Sequence, residues 1–308
     1  MKKSRIIKSI TALLLSSIFV IGASTSALAN ESKEHNTNEN LLEEVTKLND
    51  EGWNELISEI DHSQKPQTKD VYLKVIEDPE NPHIETKEYS HLEYLAETYK
   101  NPRYIDPTTN WLHISYELYP TYGDNFSVLV GFQWQSTPSI QWDDMFLVGS
   151  DSNCILPGST KRINFTYYPN TSLSMYQTYN SIDHRQNFKF EGGAVGSIFD
   201  VVPSELKSQI SALPDRDKYF YVDRNTGRFL TKGTPKGILG FASMFSSPTT
   251  NGTNIGVTYA HKQVVVGMPG ISVEVSGGKV KPTLTGNASI GYDQPTTSIS
   301  FYRGTPIP

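Results

Sequence analysis

The residues best suited to acid–base work are Asp143 and Asp144, in Gln141-Trp142-Asp143-Asp144-Met145, with Trp134 just upstream. Two carboxyls that face one glycosidic bond across about 5–10 Å can cleave it, and neighbouring tryptophans suit a sugar ring. Adjacent residues on a strand point to opposite faces, so Asp143 and Asp144 do not form such a pair by themselves. A second carboxyl would come from elsewhere, with Glu117, Asp151 and Glu191 as candidates. The plainer reading is a solvated loop entering a strand, and it carries more weight. Asp143 and Asp144 stand as the catalytic candidates, while the balance points away from an enzyme.

Other chemistries find less support. Asp223-Arg224-Asn225-Thr226-Gly227 lacks the third oxygen ligand of a calcium loop, and Thr234 stands where that loop wants Glu. The seven histidines (35, 62, 83, 91, 113, 184 and 261) form no H-x-H or H-x-x-x-H pair, so no local zinc site is expected. A Ser-His-Asp set can assemble from distant segments, with His184 and His261 as possible bases, but no G-x-S-x-G elbow supports it. Glu191 to Gly196 has three glycines without the spacing or the βαβ setting of a nucleotide loop. No metal and no cofactor are expected. Cys154 is the single cysteine, so no intramolecular disulfide can form, and it reads as a small buried hydrophobe.

Binding candidates are easier to name. Tyrosine is the commonest aromatic, at 17 residues against 13 Phe and 4 Trp. A tyrosine on a loop offers a large flat surface with a polar tip at low entropy cost. Trp134, Trp142, Tyr119 and Tyr122 are the candidates near loops. The competing explanation is that β-sheets simply use tyrosine.

These residues need a scaffold, and the chain punctuates it clearly. Residues 1–29 read as a secretory signal peptide: Lys2, Lys3, Arg5 and Lys8, an apolar run, then Ala27-Leu28-Ala29 as the cleavage site. The leader resembles those of Gram-positive bacteria. The apolar run is shorter than the roughly 20 residues that span a bilayer. A secreted protein with no integral membrane segment after cleavage is expected. Residues 30–39 contain no apolar side chain and read as a disordered leader. Residues 30–110 carry 19 acidic and 8 basic side chains, and residues 111–308 carry 14 and 15. Acidity is thus concentrated early in the mature chain, and no basic cluster favours nucleic acid.

Residues 40–106 read as an acidic helical region. Leu41, Leu42, Val45, Leu48, Trp53, Leu56, Ile57 and Ile60 recur at helical steps, with Asn40 as N-cap and a break near Gly52. Residues 61–69 read as a linker, and 71–76 as a short strand. Ser90-His91-Leu92-Glu93 is a capping box for a second helix, whose apolar face would be Leu92, Leu95, Ala96 and Tyr99.

From about residue 107 the hydrophobic period falls to two. Leu112 to Leu118 and Phe126 to Trp134 are the clearest strands, and 145–148, 163–167, 187–190 and 197–201 add more. A helix near Pro203 follows, with Leu206, Ile210 and Leu213 as its inner stripe. A hairpin turns at 223–227, and another at Ser276-Gly277-Gly278-Lys279. The fold expected is α+β and mainly β. It is an antiparallel β-sandwich over 107–308 with an N-terminal acidic helical segment, and Trp53, Leu56, Ile57 and Ile60 bury against the β domain.

The function that fits is a secreted non-enzymatic interaction protein. Its partner would be an extracellular protein, cell-wall polymer or glycan. Two alternatives are a secreted polysaccharide hydrolase on a β-sandwich and a membrane-damaging β pore-forming toxin. The toxin reading draws on the alternation from Val264 to Tyr292, against which stand Pro269 and Pro282 as strand breakers.

Overall fold

The structure, a computed structural model, describes residues 40–77, 83–99, 109–135, 138, 143–156, 161–166, 188–191, 194–201, 208, 211–215, 236–262, 270–276, 279–285 and 292–304. The segments read as signal peptide and leader, Trp142, the hairpin expected at 223–227 and most of the helix expected near Pro203 lie outside the described residues.

Strand alternation builds two antiparallel sheets. The larger runs β2 (His83–Ile84), β1 (Gln67–Ile76), β3 (Thr109–Pro120), β4 (Asn125–Trp134) and β10 (Lys236–Phe245). Both β6 (Cys154–Ile155) and β7 (Lys161–Thr166) then pair with β10. The second sheet runs β11 (Gly252–Lys262), β5 (Asp143–Ser150), β9 (Ala194–Asp200) and β8 (Phe188–Glu191), with β14 (Tyr292–Asp293) and β15 (Thr296–Tyr302) along the far side of β11. Their inner faces enclose one core. Leu112, Ile114, Tyr116 and Leu118 of β3 and Phe126, Val128, Val130, Phe132 and Trp134 of β4 meet Phe146, Val148, Val195, Phe199, Val257 and Tyr259 from the opposite sheet. Phe132 is the hub, 4.9–5.1 Å from the rings of Phe146, Phe199 and Tyr259. Burying a side chain of this kind contributes about 1.5–3 kcal/mol, so this layer supplies most of the stability.

The outer face of the larger sheet is covered at one end by α1 (Leu41–Lys47) and α2 (Glu51–Ser58). Leu41, Val45, Trp53, Leu56 and Ile60 bury against Tyr119, Leu129 and Ile238, with Ile57 partly buried beside them. Gly240 permits the approach, because a Cβ there would collide with Trp53 and sit 2.8 Å from Leu129 and 2.9 Å from Leu56. The break between the helices falls at residues 48–50 and not at Gly52. Asn49 adopts φ 49°, and Asp50 caps α2 by accepting from the amides of Gly52 (2.9 Å) and Trp53 (3.3 Å).

One expectation for the first quarter is corrected. Strand β1 begins at Gln67, inside the stretch read as a linker, because Gln67 to Asp70 are polar yet pair with Leu118 back to Ser115. Strands β1, which contains the expected strand at 71–76, and β2 join this acidic region directly to the larger sheet. From β1, Gln67 and Lys69 reach across to β15. Lys69 Nζ donates to the Ser298 carbonyl (2.7 Å), and Gln67 bonds both the amide and the carbonyl of Tyr302.

A third layer lies outside the second sheet. Strands β12 (Gly270–Ser276) and β13 (Lys279–Thr285) pair with Ser276 opposite Lys279, the tight hairpin the sequence signals. Val273 packs on Met145, Leu147, Ala194 and Ala260. Gly149 and Gly256 make the seat, since a Cβ at Gly256 would overlap the Val280 carbonyl. Pro282 sits within β13, opposite Val273, and its carbonyl accepts from Thr258 Oγ1.

Candidate functional site

Asp144 does not lie in a solvated loop. It is the second residue of β5 and is fully buried. Its carboxylate accepts from Tyr259 Oη (2.7 Å) and faces His261 Nδ1 at 2.9 and 3.0 Å. Tyr259 Oη in turn accepts from Trp134 Nε1 (2.8 Å). His261 is 1% exposed, lies opposite Asp293 in the sheet register, and has no hydrogen-bond partner at Nε2 among the described residues. Burial lowers the imidazolium's tendency to hold its proton, but the charges of Asp144, Glu77 and Asp293 outweigh that and raise its titration. Asp293 also accepts from the Ile84 amide of β2 (2.8 Å), which ties the two sheets at this end. Trp134, Tyr259, Asp144 and His261 thus form an internal chain closed to a sugar.

The other candidates divide by exposure. Asp143 opens β5 opposite Asp200. Glu117 is buried and accepts from the Leu41 (2.7 Å) and Leu42 (3.0 Å) amides and from Tyr119 Oη (2.8 Å), so it holds the start of α1 on the sheet. Burial raises its carboxyl above the usual range. Asp151 accepts from Thr253 Oγ1 and from the backbone and side chain of Asn254. Both acids thus serve as structural ties, and Glu191 ends β8 opposite Ala194. Tyr119 and Trp134 are interior residues, whereas Tyr122, in the turn between β3 and β4, is 76% exposed. Cys154 is buried with Sγ 3.4 Å from Ser243 Oγ, and burial pushes its thiol up. Among the described residues no group of three His, Cys, Asp or Glu side chains is placed to hold a metal ion. No described helix is long and apolar enough to cross a membrane.

The surface that remains is built around α3 (His91–Tyr99). Its capping box forms as expected: Glu93 accepts from the Ser90 amide (2.8 Å), and Ser90 Oγ accepts from the Glu93 amide (3.3 Å). The Ser90 amide and the Ser90 hydroxyl (2.9 Å) both donate to the Glu93 carboxylate and hold it below its usual range. The helix departs from the sequence expectation, however: of Leu92, Leu95, Ala96 and Tyr99 only Leu95 is half-buried. None of its residues is buried, and Leu92 (76% exposed) and Tyr99 (48%) face solvent. Tyr94 makes an inward contact, packing on Tyr72 and Trp111. Its ring stacks on Tyr72 at 4.3 Å and 6°, and Tyr72 stacks on His113 at 4.4 Å and 12°. Tyr94 and Tyr89 both meet Trp111 edge-on, at 5.2 and 5.1 Å. His91 Nδ1 lies 3.0 Å from Tyr72 Oη, and His113 Nε2 lies 2.8 Å from Asp70. Burial raises the Tyr72 and Tyr94 phenols, so both stay neutral. The result is a stacked aromatic footing under a face of α3 on which Leu92, Ala96 and Tyr99 are exposed. Periodicity had picked these ridge residues, but not their exposure.

No family model matches the sequence, and no curated protein matches it. Solved structures show distant likeness, among them the following three. The collagen-binding domain of a Staphylococcus aureus adhesin is 10% identical, with 51% of this chain and 86% of that one covered, at a TM-score of 0.25. The collagen-binding domain of the Erysipelothrix rhusiopathiae surface protein RspB is 6% identical (62% and 64% covered, TM-score 0.26). The major pilin SpaD of Corynebacterium diphtheriae is also 6% identical (79% and 61% covered, TM-score 0.27).

Proposed function

We propose that this chain is a secreted, non-enzymatic interaction protein that holds an extracellular partner on the outer face of its larger sheet. The supporting observation is the orientation of α3. An amphipathic helix seated by Tyr94 and His91 leaves Leu92 and Tyr99 in water. Apolar groups fixed on a rigid base and surrounded by polar ones suit a contact surface. Tyr122 is a second contact candidate, on the turn between β3 and β4. The partner classes are an extracellular protein, a wall polymer or a glycan, and secretion follows from the reading of residues 1–29.

Co-sedimentation of residues 30–308 with whole cells, isolated walls and liposomes tests this. Saturable pelleting with cells or walls, without released sugar, is expected. Liposome pelleting with dye leakage would replace the reading with a membrane-damaging one. Release of sugar from walls would replace it with a hydrolytic one.

A further inference from the structure

We propose that the α3 ridge takes a cationic, apolar-bearing segment of an extracellular protein, which narrows the partner class named above and rests on that reading. The ridge has two anchors. Leu92 and Tyr99 are seven residues apart, or about 10 Å along the helix, so they rise from one face two turns apart. Ala96 lies exposed between them. A partner matches this stripe by presenting two apolar side chains at the same spacing, one side of an amphipathic helix or alternate positions of a strand.

Charge selects among partners with that spacing. Helix α3 carries Glu93 and Glu97 and no basic residue, strand β1 adds Asp70, and the segment between β2 and α3 adds Glu85 and Glu88. Lys69, Lys74 and Lys87 offset the neighbouring carboxylates by pairing with Glu88, Glu85 and Glu93. The balance stays acidic, since residues 69–103 hold eight acidic and five basic side chains. A second copy would set Glu93 and Glu97 against the same residues, and an anionic bilayer would be repelled in the same way. Lysine or arginine flanking the apolar pair meets attraction instead, and the aromatic footing keeps the ridge from yielding on contact.

The test uses the mature chain and three immobilised polymers: a lysine–leucine copolymer, polylysine and a glutamate–leucine copolymer. Binding should favour the lysine–leucine copolymer over both others and weaken as salt rises. The L92S/Y99S double variant should lose about tenfold or more in affinity at unchanged circular dichroism and melting temperature, because both side chains are exposed. E97K, a single exchange of charge, should weaken binding while leaving the apolar pair in place. Equal binding to the glutamate copolymer, or a double variant that binds like the parent, overturns the proposal. Pelleting with cells or walls that survives in the double variant leaves the interaction reading standing and removes this one. Copolymer binding that depends on the ridge, with no pelleting at all, keeps the ridge chemistry and removes the cell- or wall-bound form of the function.

Discussion

Replacing Asp144 by Asn keeps the shape of the side chain and deletes its charge. The carboxylate is enclosed, with Tyr259 Oη at 2.7 Å and His261 Nδ1 at 2.9 Å, so the change leaves a charged imidazole facing a neutral amide. Removing one partner of a buried ion pair costs about 3–5 kcal/mol. Glu77 and Asp293 still act on His261, which places the expected loss near about 3 kcal/mol. That is a large share of the roughly 5–15 kcal/mol of a whole protein. The pH dependence follows from the raised titration of His261, whose ordinary value is 6.5. The folded chain holds this proton more tightly than the unfolded chain. Its stabilisation is therefore complete below 6.5 and is lost as pH rises through the folded value, at about 1.4 kcal/mol per pH unit inside that window. Urea unfolding followed by tryptophan fluorescence checks both points, with the parent, D144N and H261Q compared at about pH 5.5 and about pH 9. H261Q should cost more at the acid pH. A D144N cost under about 1 kcal/mol, or an H261Q cost that does not change with pH, would refute the assignment of this chain as a charged internal tie.

Three further outcomes are expected. Gly240→Ala drives a methyl into Trp53 and Leu129, so melting should report a loss of about 1–3 kcal/mol and Trp53 emission should shift as α2 lifts. Glu117→Ala strips the acceptor from the Leu41 and Leu42 amides and from Tyr119, with an expected cost of about 2–3 kcal/mol, whereas Glu117→Gln, which retains one acceptor oxygen, should cost less. Cys154, buried and with its thiol pushed up, should react with a thiol reagent only after denaturant is added; a fast native reaction would contradict its placement.

Much of this fold is legible in the sequence because much of it is periodic. The alternation of Phe126 to Trp134, the cap at Asn40 and the box at Ser90–Glu93 are local patterns, and each forms where it is read. Trp53, Leu56 and Ile60 bury on the sheet because no other face of α2 is apolar enough. Asp144 is illegible for the opposite reason. Its meaning depends on Tyr259 and His261, more than a hundred residues away, and a lone acid at a strand entry looks solvated until they arrive. Strand β1 starts early because register with β3, not hydrophobicity, orders Gln67 to Asp70. For α3, periodicity finds the stripe but not Tyr94, whose inward role depends on Tyr72, a residue of β1 that lies outside the helix.

The reach of Gln67 and Lys69 to β15 has a meaning beyond joining two layers. A strand on the rim of a sheet presents unpaired amides and carbonyls, and such a row can recruit another chain into an open-ended ladder. Here the outward carbonyl of Ser298 and both backbone groups of Tyr302 already hold side-chain partners. Those groups are thereby taken out of circulation, and an incoming strand finds the Ser298 and Tyr302 positions of β15 already filled.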